Sequence, residues 1–219
     1  MRKRRSGEPL SHNRIFLNYP YDDDFRRRFL PVILYVIVAF GYDASAAEGE
    51  NGERPVRLEK IRDMIPKARQ SLHELSRPGR FNMPLELGLA LGHQAYSSRK
   101  GRDPTRILVV CDNLGTLKVR CSDLNALDPV EYAEEPAKLV NALVNWIGED
   151  AERQGYAIYA PQAMLSGYNA FSQSLQNSLP DWQAVDQAGA INTVDAIPFW
   201  YLAALIKKWL EANPVLELR

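Results

Sequence analysis

The chain has 219 residues, with 27 basic and 27 acidic side chains and so no net formal charge. That length suits one ordinary domain, or one domain with an extension, burying about 70 % of its unfolded surface, and the neutral balance excludes a global attraction to nucleic acid or to an anionic membrane. Cys111 and Cys121 are the two cysteines, and with no histidine at ligand spacing they make neither a zinc site nor a disulfide framework.

The chain opens on Arg2-Lys3-Arg4-Arg5 ahead of Ser6-Gly7, and residues 1–12 read as a disordered basic tail. Glu8, Pro9 and His12 stand where the apolar stretch of a secretory leader would begin, so a cytoplasmic protein is expected. Arg14-Ile-Phe-Leu-Asn18 is a short apolar run suited to a central strand buried on both faces. Asp23 or Asp24 is expected to cap a helix that runs to Phe40 and closes at Gly41. Its apolar run, residues 29–40, is too short to span a bilayer and is read as a buried helix. A second strand is predicted near residues 42–46 and a polar loop over 48–55, then a helix over 56–68 that Pro66 must bend or end.

Residues 70–75 read as a third strand, with His73 inside it as a satisfied core histidine. The stretch Phe81-Asn-Met-Pro-Leu-Glu-Leu-Gly-Leu-Ala90 then opens a helix, because Pro84 fits a first turn whose N–H groups have no intrahelical partner. Leu85, Leu87, Leu89 and Leu91 leave little polar surface, which predicts a buried helix, and Gly88 and Gly92 are small enough to admit another backbone. Glu86 is placed in the first turn. It is either a capping carboxylate, satisfied by orphan N–H groups and the helix dipole, or a catalytic one at the edge of a pocket. Arg106-Ile-Leu-Val-Val-Cys111 is the clearest strand, a short fifth strand is predicted around 129–132, and residues 136–149 form an amphipathic helix. Beyond Gln154 there is no strong strand signal, and residues 197–212 form a last amphipathic helix. Residues 13–150 are therefore read as an α/β domain and 151–219 as a helical extension.

Strands alternating with helices predict a flavodoxin-like parallel sheet, and with order 2-1-3-4-5 the ligand crevice lies beyond strands one and three. Those strand ends deliver Asn18, Tyr19 and Tyr21 on one side, Ser76 and Arg77 on the other, and Asn82 and Glu86 from the next helix. No G-x-G-x-x-G, G-x-x-x-x-G-K-[ST] or G-x-S-x-G is present, which argues against a dinucleotide-binding dehydrogenase, a P-loop NTPase and an esterase.

The blocks Ile15-Phe-Leu-Asn-Tyr-Pro-Tyr-Asp-Asp23, Val56-Arg-Leu-Glu-Lys-Ile61, His73-Glu-Leu-Ser76 and Arg80-Phe-Asn-Met-Pro-Leu-Glu-Leu-Gly88 resemble a family of bacterial proteins. That family is related to the nucleoside 2-deoxyribosyltransferases and to Toll/interleukin-receptor (TIR) domains. The resemblance spans roughly residues 13 to 150, and Phe-Asn-Met-Pro-x-Glu-x-Gly is its specific element. It implies cleavage of an N-glycosidic bond, or ribosyl transfer, on a nucleotide or NAD-like substrate. NAD or a nucleotide then enters as substrate rather than cofactor, and no metal is expected. Glu86, in Glu86-Leu-Gly88-Leu-Ala90, matches the position of the catalytic acid. Asn18 and Asn82 would fix ribose hydroxyls, Tyr19 or Tyr21 would stack the base, and Ser76 or Arg77 would meet polar substrate groups.

The family's Pro-Arg pair after the second strand is absent from Asp43-Ala-Ser-Ala-Ala-Glu48, so Arg57 or Arg77 would take over a phosphate contact. The resemblance also implies an antiviral (antiphage) defence effector that forms a homo-oligomer or meets a partner protein of its defence system; the neutral charge and the short apolar run point to no membrane or nucleic-acid partner. The alternative is a non-catalytic module that binds a nucleotide signal, or assembles, through the same cleft.

Overall fold

A computed structural model describes residues 13–48, 57–77, 79–100, 105–182 and 194–217. The predicted tail over residues 1–12 and most of the predicted loop over 48–55 lie outside them. Five strands form one all-parallel sheet: β1 (Arg14–Asn18), β2 (Asp43–Ser45), β3 (Gln70–Glu74), β4 (Arg106–Cys111) and β5 (Val130–Glu131). Their order is β2-β1-β3-β4-β5, the order expected of a flavodoxin-like sheet, and the reversal of strand order falls between β1 and β3. The register sets Asn18 opposite His73 and Glu74 opposite Val110.

The two sheet faces have different cover. Ile15, Leu17, Leu72, Leu108 and Val110 point into the larger core. There they meet α2 (Leu30–Ala39), α6 (Pro136–Gln154), α7 (Pro161–Trp182) and α8 (Phe199–Ala212). Phe16 faces Ile61 and Met64 of α3 (Arg57–Met64) and Ala90 of α4 (Asn82–Arg99). Val109 and Cys111 meet Leu87 and, from α5 (Leu114–Arg120), Leu117.

The single helix expected up to Phe40 is in fact two, α1 (Asp23–Arg28) and α2. Pro31, in the first turn of α2, has no N–H to continue the ladder, so the chain breaks at Phe29. Asp22 rather than Asp23 or Asp24 is the cap, its Oδ1 accepting from Phe25 N at 2.9 Å, which leaves the other two acids in the first turn where the dipole favours them. Gly41 closes α2 at φ 78°, a left-handed conformation that glycine adopts without penalty.

From Leu30 to Ile37 every residue of α2 is buried, which a helix covered only by a sheet could not achieve. The helical C-terminal part supplies the remaining cover. Tyr35 meets the rings of Tyr168 and Phe171 from α7, and Phe171 meets Trp209 from α8. Gly167 permits this approach, because a Cβ there would stand 2.5 Å from the Tyr35 hydroxyl oxygen. Among the described residues no helix is long and apolar enough to cross a membrane.

At the other end of the strands, Asp150 of α6 is 1 % exposed and accepts from Arg69 Nε at 2.7 Å, Arg69 Nη2 at 2.8 Å, Tyr42 Oη at 2.8 Å and Gln70 Nε2 at 3.1 Å. Burial pushes its pKa up, but the Arg69 fork and the Tyr42 hydroxyl outweigh burial and hold it below the usual carboxylate range. Asp150→Ala strands a guanidinium and a phenol, and breaking a buried pair in this way costs about 3–5 kcal/mol. In a chain of this size, calorimetry is expected to register a Tm lower by roughly 6–20 °C.

Candidate functional site

Glu86 lies on α4, whose first helical residue is Asn82, so the carboxylate sits in the second turn and not the first. Helical side chains lean toward the N-terminus, and Glu86 leans back onto Asn82, whose side chain hydrogen-bonds it. Its other partner is Arg57, at the first described position of α3, with Nη2 3.5 Å from Oε1. Both partners are side chains, which is not the backbone capping role considered from sequence.

The helix is also less buried than its leucines suggested. Met83, Glu86, Leu87 and Ala90 face inward, while Phe81 is 87 % and Leu85 54 % exposed. Gly88 and Gly92 face open space rather than another backbone. One acid therefore occupies the buried stripe while several apolar groups sit outside it. The leucines recur every second residue, a spacing that winds around a helix of period 3.6 instead of following one face.

Glu86 is 2 % exposed, and burial raises its pKa above the ordinary glutamate value, with Arg57 and Asn82 opposing the shift. Arg57 is half-exposed and its guanidinium carbon lies 4.4 Å from the centroid of the Tyr21 ring. The Tyr21 hydroxyl is pushed up to about 12, first by burial and then by Glu86 and Glu48 against the pull of Arg57, so it is a neutral phenol. Glu86, Arg57, Tyr21 and Asn82 thus form one cluster beyond the β1 and β3 ends.

The other sequence candidates are committed elsewhere. Asn18 is 2 % exposed, and its amide NH2 donates to His73 Nδ1 at 3.0 Å and to the Met83 carbonyl at 2.9 Å. It ties β1 to β3 and to the start of α4. Tyr19 is 1 % exposed, its ring stacked at 5.9 Å on Phe25 and 6.3 Å on Phe199, and its hydroxyl donates to Glu48 Oε2 at 2.7 Å. That leaves Tyr21, 4.9 Å in front of it, as the partly exposed aromatic.

Arg77 crosses the switch point to pair with Asp22 at 3.1 Å and Asp24 at 2.9 Å, and it lines a separate cavity. Glu48, bonded to Tyr19 and also paired with Arg26, is a further neighbour, not among the residues expected from sequence. Its position follows the second strand, and nothing local distinguishes it from a loop acid.

Ser76 turns to the opposite sheet face and meets Glu74, an acid that is not among the residues expected from sequence. Glu74, 0 % exposed, accepts from Ser76 N at 3.0 Å, from the Ser76 hydroxyl and from Tyr132 Oη at 3.1 Å. Ser76 Oγ in turn accepts from Asp112 N at 2.7 Å. Glu74 Oε2 has no hydrogen-bond partner among the described residues. Burial pushes this carboxyl up to about 7, even against its three hydrogen bonds. The available signal was an acid at the end of a strand whose neighbours are all buried. Among the described residues no group of three or more His, Cys, Asp or Glu side chains is placed to hold a metal ion.

Comparison with known proteins returns no matching family model, no matching curated protein and no matching solved structure.

The Glu74 environment makes stability depend on pH with a definite sign. Between about pH 4.5 and 7 the folded chain retains a proton that the unfolded chain releases, so stability falls as pH rises through that window and is level above it. Glu74→Gln removes this slope. The wild-type-minus-variant difference in unfolding free energy is expected to drop by up to about 3 kcal/mol across the window. Urea denaturation at intervals of pH checks it, and a constant difference would mean that Glu74 is ionised throughout.

Proposed function

We propose that the protein cleaves an N-glycosidic bond of a nucleotide or NAD-like substrate, or transfers its ribosyl group, with Glu86 as the catalytic carboxylate. The observation carrying this reading is a buried acid with one half-exposed cation and one accessible aromatic ring beside it, at the switch point of a parallel sheet. Breaking the C1′–N bond sends the electron pair out with the base and leaves an oxocarbenium ion. A carboxylate in a water-poor site stabilises that cation far more than it would in bulk water. In hydrolysis, water adds its oxygen to C1′ and gives up a proton to the departing base or to solvent. Tyr21 supplies a ring face for the base, Asn82 an amide for a ribose hydroxyl, and Arg57 a charge for phosphate. The resemblance of the sequence blocks to deoxyribosyltransferase-like and TIR-like proteins supports the same chemistry, and it alone supports a setting in antiphage defence with self-assembly or a partner protein.

A second reading rests on the Arg57–Glu86 pair itself. An acid already neutralised by a cation suits a pocket that holds a nucleotide signal without turning it over. Mass spectrometry of NAD, nucleosides and nucleotides incubated with concentrated protein separates the two. The catalytic reading expects free base from the wild type and a loss of about 10²-fold or more in Glu86→Gln, with ligand still bound. Binding without turnover in both proteins would transfer the site to the sensing role.

The pKa of Glu86 sets the form of the activity profile. Its ionised form is the active one and its pKa is raised, so turnover should climb with pH through a midpoint above the ordinary glutamate range. Arg57 opposes that rise, so Arg57→Ala should move the acid limb of kcat/KM to still higher pH. An acid limb that stays in place in Arg57→Ala would dissociate the pair from the chemistry.

A further inference from the structure

A cavity of about 360 Å³ opens between the loop after β3, the start of α4 and the end of α5, and it shares no residue with the Glu86 cluster. Arg77, Arg80 and Arg120 line it together with Phe81, Leu117 and Cys121, and no acidic side chain is among its described lining residues. The charge of Arg77 is spent, because it pairs with both Asp22 and Asp24. Arg80 and Arg120 form no ion pair among the described residues, so the cavity carries two uncompensated guanidinium groups. Beside them Phe81 holds its ring 87 % exposed, the largest such exposure of any aromatic side chain among the described residues.

Leaving a large aromatic in water and two cations unpartnered around one concavity forgoes both apolar burial and charge pairing, and a single ligand class recovers both. A planar oxyanion places its ring on Phe81 and its carboxylate or phosphate in the guanidinium forks, which match those groups in geometry. The volume fits a small molecule rather than a polymer.

We infer that the cavity bounded by Arg80, Phe81 and Arg120 is a second ligand site, separate from Glu86, for a small aromatic oxyanion. This inference does not depend on the catalytic reading.

The cavity contains its own reporter. Cys121 is partly exposed on the wall, whereas Cys111 is 0 % exposed in β4 and its thiol is pushed up to about 12 by burial. Cys121 should therefore react first with disulfide reagents, each thiolate displacing one aryl thiolate. Peptide mass spectrometry on the intact folded protein measures the rate with the dianionic 5,5′-dithiobis(2-nitrobenzoate) and with the neutral 4,4′-dithiodipyridine. The ratio of the anionic to the neutral rate is expected to fall about tenfold in the Arg80→Ala/Arg120→Ala variant. Millimolar phenyl phosphate or benzoate should slow the neutral reagent at least threefold in the wild type and in Glu86→Gln, but not in the double arginine variant or in Phe81→Ala.

Protection by phenyl phosphate alone or by benzoate alone supports the site and identifies the anion it takes. Equal protection by inorganic phosphate overturns the aromatic part of the inference. An unchanged rate ratio with no protection overturns it entirely. All three substituted side chains are exposed, so the variants should keep the wild-type Tm, which calorimetry verifies.

Discussion

The side-chain amide of Asn18 holds the crevice together. Its NH2 group donates at once to His73 Nδ1 on β3 and to the Met83 carbonyl on α4, joining three elements at the point where the strand order reverses. Because Nδ1 accepts, the imidazole proton lies on Nε2, which donates to Ser71 Oγ at 3.1 Å. The bond from Asn18 to Nδ1 needs a neutral imidazole, and burial supplies it by lowering the His73 pKa to about 3. Through Met83 the network positions the start of α4, and with it the turn that carries Glu86 inward. His73 is thus a structural histidine whose influence on the site passes through Asn18.

Three buried acids show how environment divides one functional group into different roles. Asp150 is gripped by a bidentate arginine and a phenol and stays ionised, which suits a fastening between α6 and the strand ends. Glu74 has hydroxyl and amide donors but no cation, and its proton is retained to about 7. Glu86 lies between them, with a single cation at 3.5 Å that is itself half in water. Of the three, only Glu86 has a partner that an incoming ligand could draw away without dismantling the core. That difference in supporting structure, more than burial alone, singles it out as the candidate for chemistry.

The charge around the switch point follows a related division. Asp22 caps α1 and receives Arg77 from across the crevice, so the two loops beyond β1 and β3 are clamped by a surface-accessible ion pair. Arg80, three residues beyond Arg77, and Arg120, at the end of α5, form no ion pair among the described residues. The same crevice end therefore presents an acid-centred cluster on one side of α4 and a cation-lined cavity on the other.

β1 and β4 were legible in the sequence to the residue, because a central strand buried on both faces is a continuous apolar run with no competing period. The parallel sheet followed from the alternation of strands with helices, its order was an expectation that alternation alone does not fix, and Glu86 stood out as an acid among leucines. The break between α1 and α2 was also available locally, in Pro31. What remained hidden depended on contacts between distant parts of the chain. Tyr19 and Tyr21 are equivalent as letters, yet the first is covered by Phe199, from the last helix, and the second stays partly open. Asn18 is a plausible ligand donor in sequence, but residues 55 and 65 positions away consume its amide. The direction of each side chain, and the partner that satisfies it, arise only when the helices dock, since a buried polar group must take whichever complement the packed neighbours bring.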